Sequence, residues 1–571
     1  MKKIHVHPLP ITLVLWLSAI LLAHAGESVV NSPHDLSAGG PGTIRAQSET
    51  EICIFCHTPH GASTDAPLWN RYDTTGSYIP YSSSSLKASV GQPTGASKLC
   101  LSCHDGTVAL GMVRNRTTPI QMASGITHMP PGPAMLGKDL SDDHPISFTY
   151  DAALAQQQGE LKNPATLSPD IKLDINQQLQ CTACHDPHDN QFGKFMVMET
   201  TGGALCLECH RPDGWDASSH ALSTATWNGN DTNPWAHSDE TTVQANACAN
   251  CHRTHGAGQP RQLQVFAEEE DNCLTCHNGN VAQTDIAREF RKFSIHDIFL
   301  TRGVHDPVEH TTDAPRHVEC VDCHNPHAMQ AGDTAGGLSG ALLNVPGVSS
   351  SGSPVAEIQT ESELCYRCHS DFQNLAEVLL LRQFPENNVR REFLTTNASY
   401  HPVESSGRNP NVPSLIQPWS EASTISCTDC HNNDQGPGAG GTGPRGPHGS
   451  IYKPLLERRL EFEDGLGENA ATYALCYKCH SRDSILANES FPGHFSHVSL
   501  RNIACTTCHD AHGVESATHL INFNLEIVGA FNGTLEYVDN GPTASTCTLM
   551  CHSKEHDALS YETPLLPFAP R

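Results

Sequence analysis

Residues 181–188 read Cys-Thr-Ala-Cys-His-Asp-Pro-His, and residues 206–210 read Cys-Leu-Glu-Cys-His. Two thiols at i and i+3 can add to the two vinyl groups of one porphyrin, and the imidazole that follows then lies beneath the ring as an iron ligand. Working outward, all 24 cysteines of the 571-residue chain fall into twelve such groups. Eleven are CxxCH: Cys53/Cys56/His57, Cys100/Cys103/His104, Cys181/Cys184/His185, Cys206/Cys209/His210, Cys248/Cys251/His252, Cys273/Cys276/His277, Cys320/Cys323/His324, Cys365/Cys368/His369, Cys427/Cys430/His431, Cys476/Cys479/His480 and Cys505/Cys508/His509. The twelfth, Cys547/Cys551/His552, is one residue wider. Disulfides would explain the even cysteine count but not a histidine after every second cysteine. Structural zinc needs four ligands in tetrahedral geometry, which a lone CxxCH does not offer. The spacing predicts about twelve covalent haems c, with those twelve histidines as proximal ligands.

The motifs run in six pairs. The first member usually carries another histidine three residues after its own: His60, His188, His255, His327 and His512. The fifth pair has Asp434 at that position, and Gly-Pro-His448-Gly beyond a glycine-rich insertion reads as the same ligand displaced by a loop. Upstream of each pair lies a further histidine: His34, His144, His237, His305 or His310, His401, and His494 or His497. The expected distal ligands are His34, His60, His144, His188, His237, His255, His310, His327, His401, His448, His497 and His512. A histidine three residues after a proximal ligand cannot reach the far face of the same iron, so it must serve a neighbouring haem. Histidine is in surplus, which leaves little call for ligation by Met112, Met122 or Met129.

The N-terminus predicts export. Lys2 and Lys3 precede an apolar stretch from Ile11 to Ala23, and Ala23-His24-Ala25 gives a small-x-small cleavage pattern. Thirteen apolar residues are too few to span a bilayer, and no later stretch qualifies. Residues 26–571 would carry 32 basic residues (34 less Lys2 and Lys3) against 62 acidic ones, a net charge of −30. That balance excludes nucleic-acid binding and suits cationic docking patches or metal ions. Aromatic content is only 6%. The expected fold is therefore mostly irregular with short α-helices at the attachment motifs, few strands, and haems forming the core. Six paired-haem units are expected over 26–130, 131–215, 216–290, 291–385, 386–485 and 486–571, after a signal peptide over 1–25. The spacing of Leu364, Leu375, Val378, Leu379 and Leu381 predicts one longer helix over 363–384, stopped by Pro385.

The segments CIFCHTPHGA, APLWNR, KLCLSCHDGTVA, HPISF, CTACHDPH, LCYRCH, SYHPV, GPRGPHGS, LCYKCH and CTTCHDAHG, spread over residues 50–515, resemble the doubled-CxxCH multihaem cytochromes c of metal-respiring bacteria. The resemblance implies respiratory electron transfer in the periplasm, across the outer membrane or at the cell surface. Its implied partners are other redox proteins or cytochromes, an outer-membrane porin or metal-ion acceptors. The displaced His448 and the wide last motif depart from the pattern. A pure carrier is the leading expectation. The alternative is a multihaem reductase of a small oxyanion or nitrogen compound, which needs one haem with an open distal position; the CxxCK motif that marks some of these is absent. A filament subunit would differ from the carrier only in assembly.

Overall fold

The computed structural model describes residues 28–64, 66–259, 261–300, 317–371, 379–541 and 544–562. The signal-peptide segment and His305 and His310 lie outside these residues. No described helix is long and apolar enough to cross a membrane.

Regular structure is brief, and each cysteine motif lies in a short helical turn or, for the last, on a strand. Helix α1 (Gly95–His104) carries the second motif in its last turns and sets Leu101 on its buried side. Gly106, at φ 71, then takes the left-handed conformation that ends the run, one that a side chain would strain. Helix α2 (Ala204–Cys209) carries the fourth motif. Helix α3 (Glu361–His369) opens on a reciprocal capping box between Thr360 and Glu363, closes with Arg367 and His369 in its last turn, and holds the eighth motif. The expected continuation to Phe384 is not found: α3 ends at His369 and residues 379–384 are not helical, with 372–378 outside the described residues. The leucines that suggested a helix do other work. Leu379 and Leu380 line the interior cavity, and Arg382 bridges to Asn524.

The chain has no single protein core among the described residues. Small apolar clusters stand apart, such as Phe148/Tyr150/Leu154/Leu179 and Ile521/Phe523/Val528/Leu549. Between them runs one continuous cavity of about 2490 Å³, lined by side chains from Tyr81 to His512. A void of that extent could not persist unfilled in a packed protein, where interiors approach crystal density.

Strands are few, as expected, and the largest sheet among the described residues lies in the C-terminal region. It comprises β1 (Val528–Gly529), β2 (Glu536–Asp539), β3 (Ala544–Cys551) and β4 (Lys554–Glu562), all antiparallel, with β3 paired to each of the others. The twelfth cysteine motif lies on β3 and not on a helical turn.

Candidate haem-binding sites

Each CxxCH motif begins as a helical turn. The histidine N–H donates to the carbonyl of the first cysteine, as at His57–Cys53 (2.8 Å), His252–Cys248 (2.9 Å) and His431–Cys427 (2.8 Å). This closes an i to i+4 ring and sets both thiols and the imidazole on one side of the backbone. All 24 cysteines are free of disulfides. Burial pushes the second thiols Cys56, Cys184, Cys251, Cys323, Cys430 and Cys508 up to about 12.

The imidazoles are held by one ring nitrogen. Nδ1 of His104, His185, His252, His324, His431 and His509 donates to the carbonyls of Ala134, Lys194, Gln262, Ala341, Pro454 and His519, at 2.6 to 2.9 Å. Such a bond fixes the tautomer and ring angle and leaves Nε2 as the donor atom for a metal. Two of the rings opposite use a carboxylate instead: His255 Nδ1 bonds Asp143 at 2.9 Å, and His512 Nδ1 bonds Glu392 at 2.8 Å. Burial presses His210, His277, His431, His480 and His509 down to about 4, keeping them neutral. His512 is the exception, because the Glu392 carboxylate outweighs burial and raises it to about 9.

Eleven proximal histidines face a second imidazole across a gap of nearly constant width. Ring centres are 6.0 Å apart for His57–His188 and His324–His448, 6.1 Å for His431–His512, and 6.2 Å for His34–His104, His144–His210, His220–His277 and His252–His327. They are 6.3 Å apart for His296–His369 and His494–His509, 6.4 Å for His185–His255 and 6.5 Å for His401–His480. Two metal–imidazole bonds of about 2.0–2.1 Å, plus about 1.1 Å from nitrogen to ring centre on each side, require roughly 6.2 Å. The gap fits one iron with an axial imidazole on each face, and the residues present fit haem c.

The order of the sites follows the chain. Between pairs, first thiols touch: Cys100 with Cys181, Cys206 with Cys248, Cys273 with Cys320, Cys365 with Cys427 and Cys476 with Cys505. Within pairs, second thiols are close enough to shift one another electrostatically, as Cys56 with Cys103, Cys184 with Cys209, Cys251 with Cys276, and Cys508 with Cys547 and Cys551.

Of the expected distal set, the structure sets His34, His144, His188, His255, His327, His401, His448 and His512 opposite a proximal histidine. His188, His255, His327, His448 and His512 each face the proximal ring of the odd-numbered motif before their own. Two partners were not anticipated, His220 and His296, and of the alternatives His494 and His497 it is His494 that faces His509. His237 turns its Nε2 to the Ala249 carbonyl at 2.9 Å and faces no histidine ring among the described residues, and His220 stands opposite His277 in its place. His296 occupies the position expected of His310. His60 is exposed and faces no histidine ring among the described residues. His497 stands opposite His556 at 6.3 Å. His552 gives its Nε2 to Asp464 at 2.7 Å. No local pattern distinguishes His220 from His237; only the path of the chain does.

The family model described as "Doubled CXXCH motif" matches residues 175–214, 241–282 and 418–485, which hold the second, third and fifth motif pairs. A curated relative, "Multiheme cytochrome MtrA" of Shewanella baltica (strain OS185), is 26% identical over 204 residues. The match covers 34% of this chain and 43% of the relative, so the chain spans less than half of that protein's length. With CxxCH turns, free thiols and imidazole gaps of iron-binding width, these matches support a likeness to the doubled-CxxCH multihaem cytochromes c.

Proposed function

We propose that the protein is an electron conduit of twelve covalent haems c arranged in chain order as six pairs, with bis-histidine ligation at eleven sites or more. The carrying observation is the set of eleven facing imidazole pairs together with thiol-to-thiol contact at the five junctions between motif pairs. When bound, haem supplies an iron that cycles between ferric and ferrous with little rearrangement. The chain's own residues do the rest. The cysteine turns tether each ring, the Nδ1 anchors fix imidazole angle, and the crossing histidines hold neighbouring sites at close range. His188, His255, His327, His448 and His512 each belong to one pair and ligate the haem of the pair before. The apolar cavity wall excludes water, and the haems fill the space it encloses.

The eleven facing pairs leave no exchangeable position at their irons, which favours a carrier over a reductase. The acidic exterior fits docking to cationic patches on redox partners in the periplasm or at the outer surface. EPR of the oxidised protein, with haem counted by pyridine haemochrome and intact mass, tests the reading. Twelve haems with only low-spin ferric signals support it. A high-spin signal from one of the eleven paired sites that shifts with nitrite or hydroxylamine would reverse it in favour of a reductase.

A further inference from the structure

The twelfth motif does not resemble the other eleven, and its differences are mutually consistent. On a strand, residues two apart share a face, so a CxxC would point its thiols to opposite sides, whereas CxxxC puts both on one side. Cys547 and Cys551 on β3 are so related, with Leu549 between them on the same face. Leu549 is paired in register with His556 on β4, and directly opposed residues share a face, so His556 joins the two thiols. Facing it is His497, ring centres 6.3 Å apart, within the range of the eleven other pairs. His497 is anchored as they are, its Nδ1 donating to the Gly493 carbonyl at 2.7 Å. His556 Nδ1 is taken by the Tyr561 hydroxyl at 2.9 Å, and the same hydroxyl lies 3.4 Å from His497 Nε2, so one phenol touches both rings. His552 is directed elsewhere. It sits in the β3–β4 turn at φ 47, half exposed, with the nitrogen an iron would use held by Asp464. Asp464 is itself fixed by the Ala504 N–H and the Thr507 hydroxyl.

We infer that the twelfth haem is held on a strand scaffold, by thioethers from Cys547 and Cys551 and axial imidazoles from His497 and His556, and that His552 is a structural residue of the turn. Each thiol S–H adds across one vinyl C=C: sulfur bonds the carbon nearer the ring, the hydrogen goes to the other carbon, and no oxidant is consumed. The histidine that ligates iron is then five residues after the second cysteine, where the helical-turn motifs use the one next to it. This inference rests on the conduit reading, and the test separates them.

The experiment is EPR and intact-mass haem counting on the matured full chain and on His556→Ala and His556→Met. In His556→Ala, twelve thioether haems with a high-spin ferric signal from one haem per chain are expected. His556→Met, which keeps a side chain able to bind iron, should return that haem to the low-spin state at a raised potential. A His556→Ala protein whose twelve haems all stay low-spin would overturn the assignment, as would eleven haems in the unsubstituted chain. Either result would leave the eleven-site conduit standing.

Discussion

His188, from the second motif pair, stacks over His57 of the first with ring centres 6.0 Å and planes 15° apart. On the proposed ligation, one side chain serves both the fold and the electron path, because a ligand crossing between units also clamps them together. His188→Ala should convert one haem per chain to high-spin and loosen the first unit from the second. EPR and the first proteolytic cut in a limited digest would register the two effects. His60→Ala should leave every haem low-spin, since His60 faces none of the described imidazoles. A high-spin signal from His60→Ala would redraw the ligand scheme.

Glu392 on His512 and Asp143 on His255 put a carboxylate behind an axial imidazole. A carboxylate partner makes the ring a stronger donor and favours ferric iron, which lowers the potential. Glu392→Gln should therefore raise the midpoint of the site at His431 by tens of millivolts, where 59 mV is about tenfold in a one-electron equilibrium. Spectroelectrochemical titration would show one component moving upward while the rest of the curve stays in place.

Arg71 is fully buried, and its guanidinium meets the carbonyls of Ser102, Ala109 and Leu110 with no carboxylate partner among the described residues. Its positive charge acts on Cys56 and Cys103, at the junction of the first two sites. Arg71→Met should lower the potentials of both haems and cost about 3 kcal/mol or more in stability, because buried carbonyls lose their donors. Arg71→Lys should preserve most of the potential while still losing stability. Chemical denaturation and redox titration separate the two quantities.

How much of this was written in the sequence differs between attachment and ligation. The cysteine motifs were legible because covalent chemistry fixes their spacing, whatever the surrounding fold. His188, His255, His327 and His512, each three residues after a motif histidine, were legible as rings that face a neighbouring site, because local geometry bars them from their own, whereas His60 at the same spacing faces no histidine ring among the described residues. The loop-displaced His448, read in the same way, lies 6.0 Å from His324. Among the upstream histidines, His34, His144 and His401 were named singly and do face a motif histidine, whereas those of the third and fourth pairs were not legible. His220 precedes His237, and His296 precedes His305 and His310, within chains of similar composition, and irregular backbone gives no periodicity that would rank them. The strand at Cys547–Cys551 left a trace in the one-residue-wider motif, whose even spacing is the parity of a strand. The helix expected over 363–384 stops at His369, and of the leucines that suggested it Leu364 and Leu379 border the interior cavity while Leu381 is exposed.

Glu269 gives the conduit a point of pH sensitivity. Its side chain is buried beside the junction of the sixth and seventh sites, with one carboxylate oxygen 3.6 Å from Cys273 Sγ and the other accepting from the Cys320 N–H at 3.3 Å. Burial, and next the nearby Glu319, push its carboxyl up to about 7. Below that pH the group is neutral, and above it a negative charge beside both sites favours ferric over ferrous iron. The midpoints of these two haems should therefore fall as pH rises from about 6 to 8 and level off at either end. Glu269→Gln should hold them near the low-pH value throughout, so the difference between the variants vanishes below pH 6 and is largest above pH 8. Redox titrations at a series of pH values measure this directly. A pH dependence that survives unchanged in Glu269→Gln would assign the proton to another group, with Glu319 the next to replace.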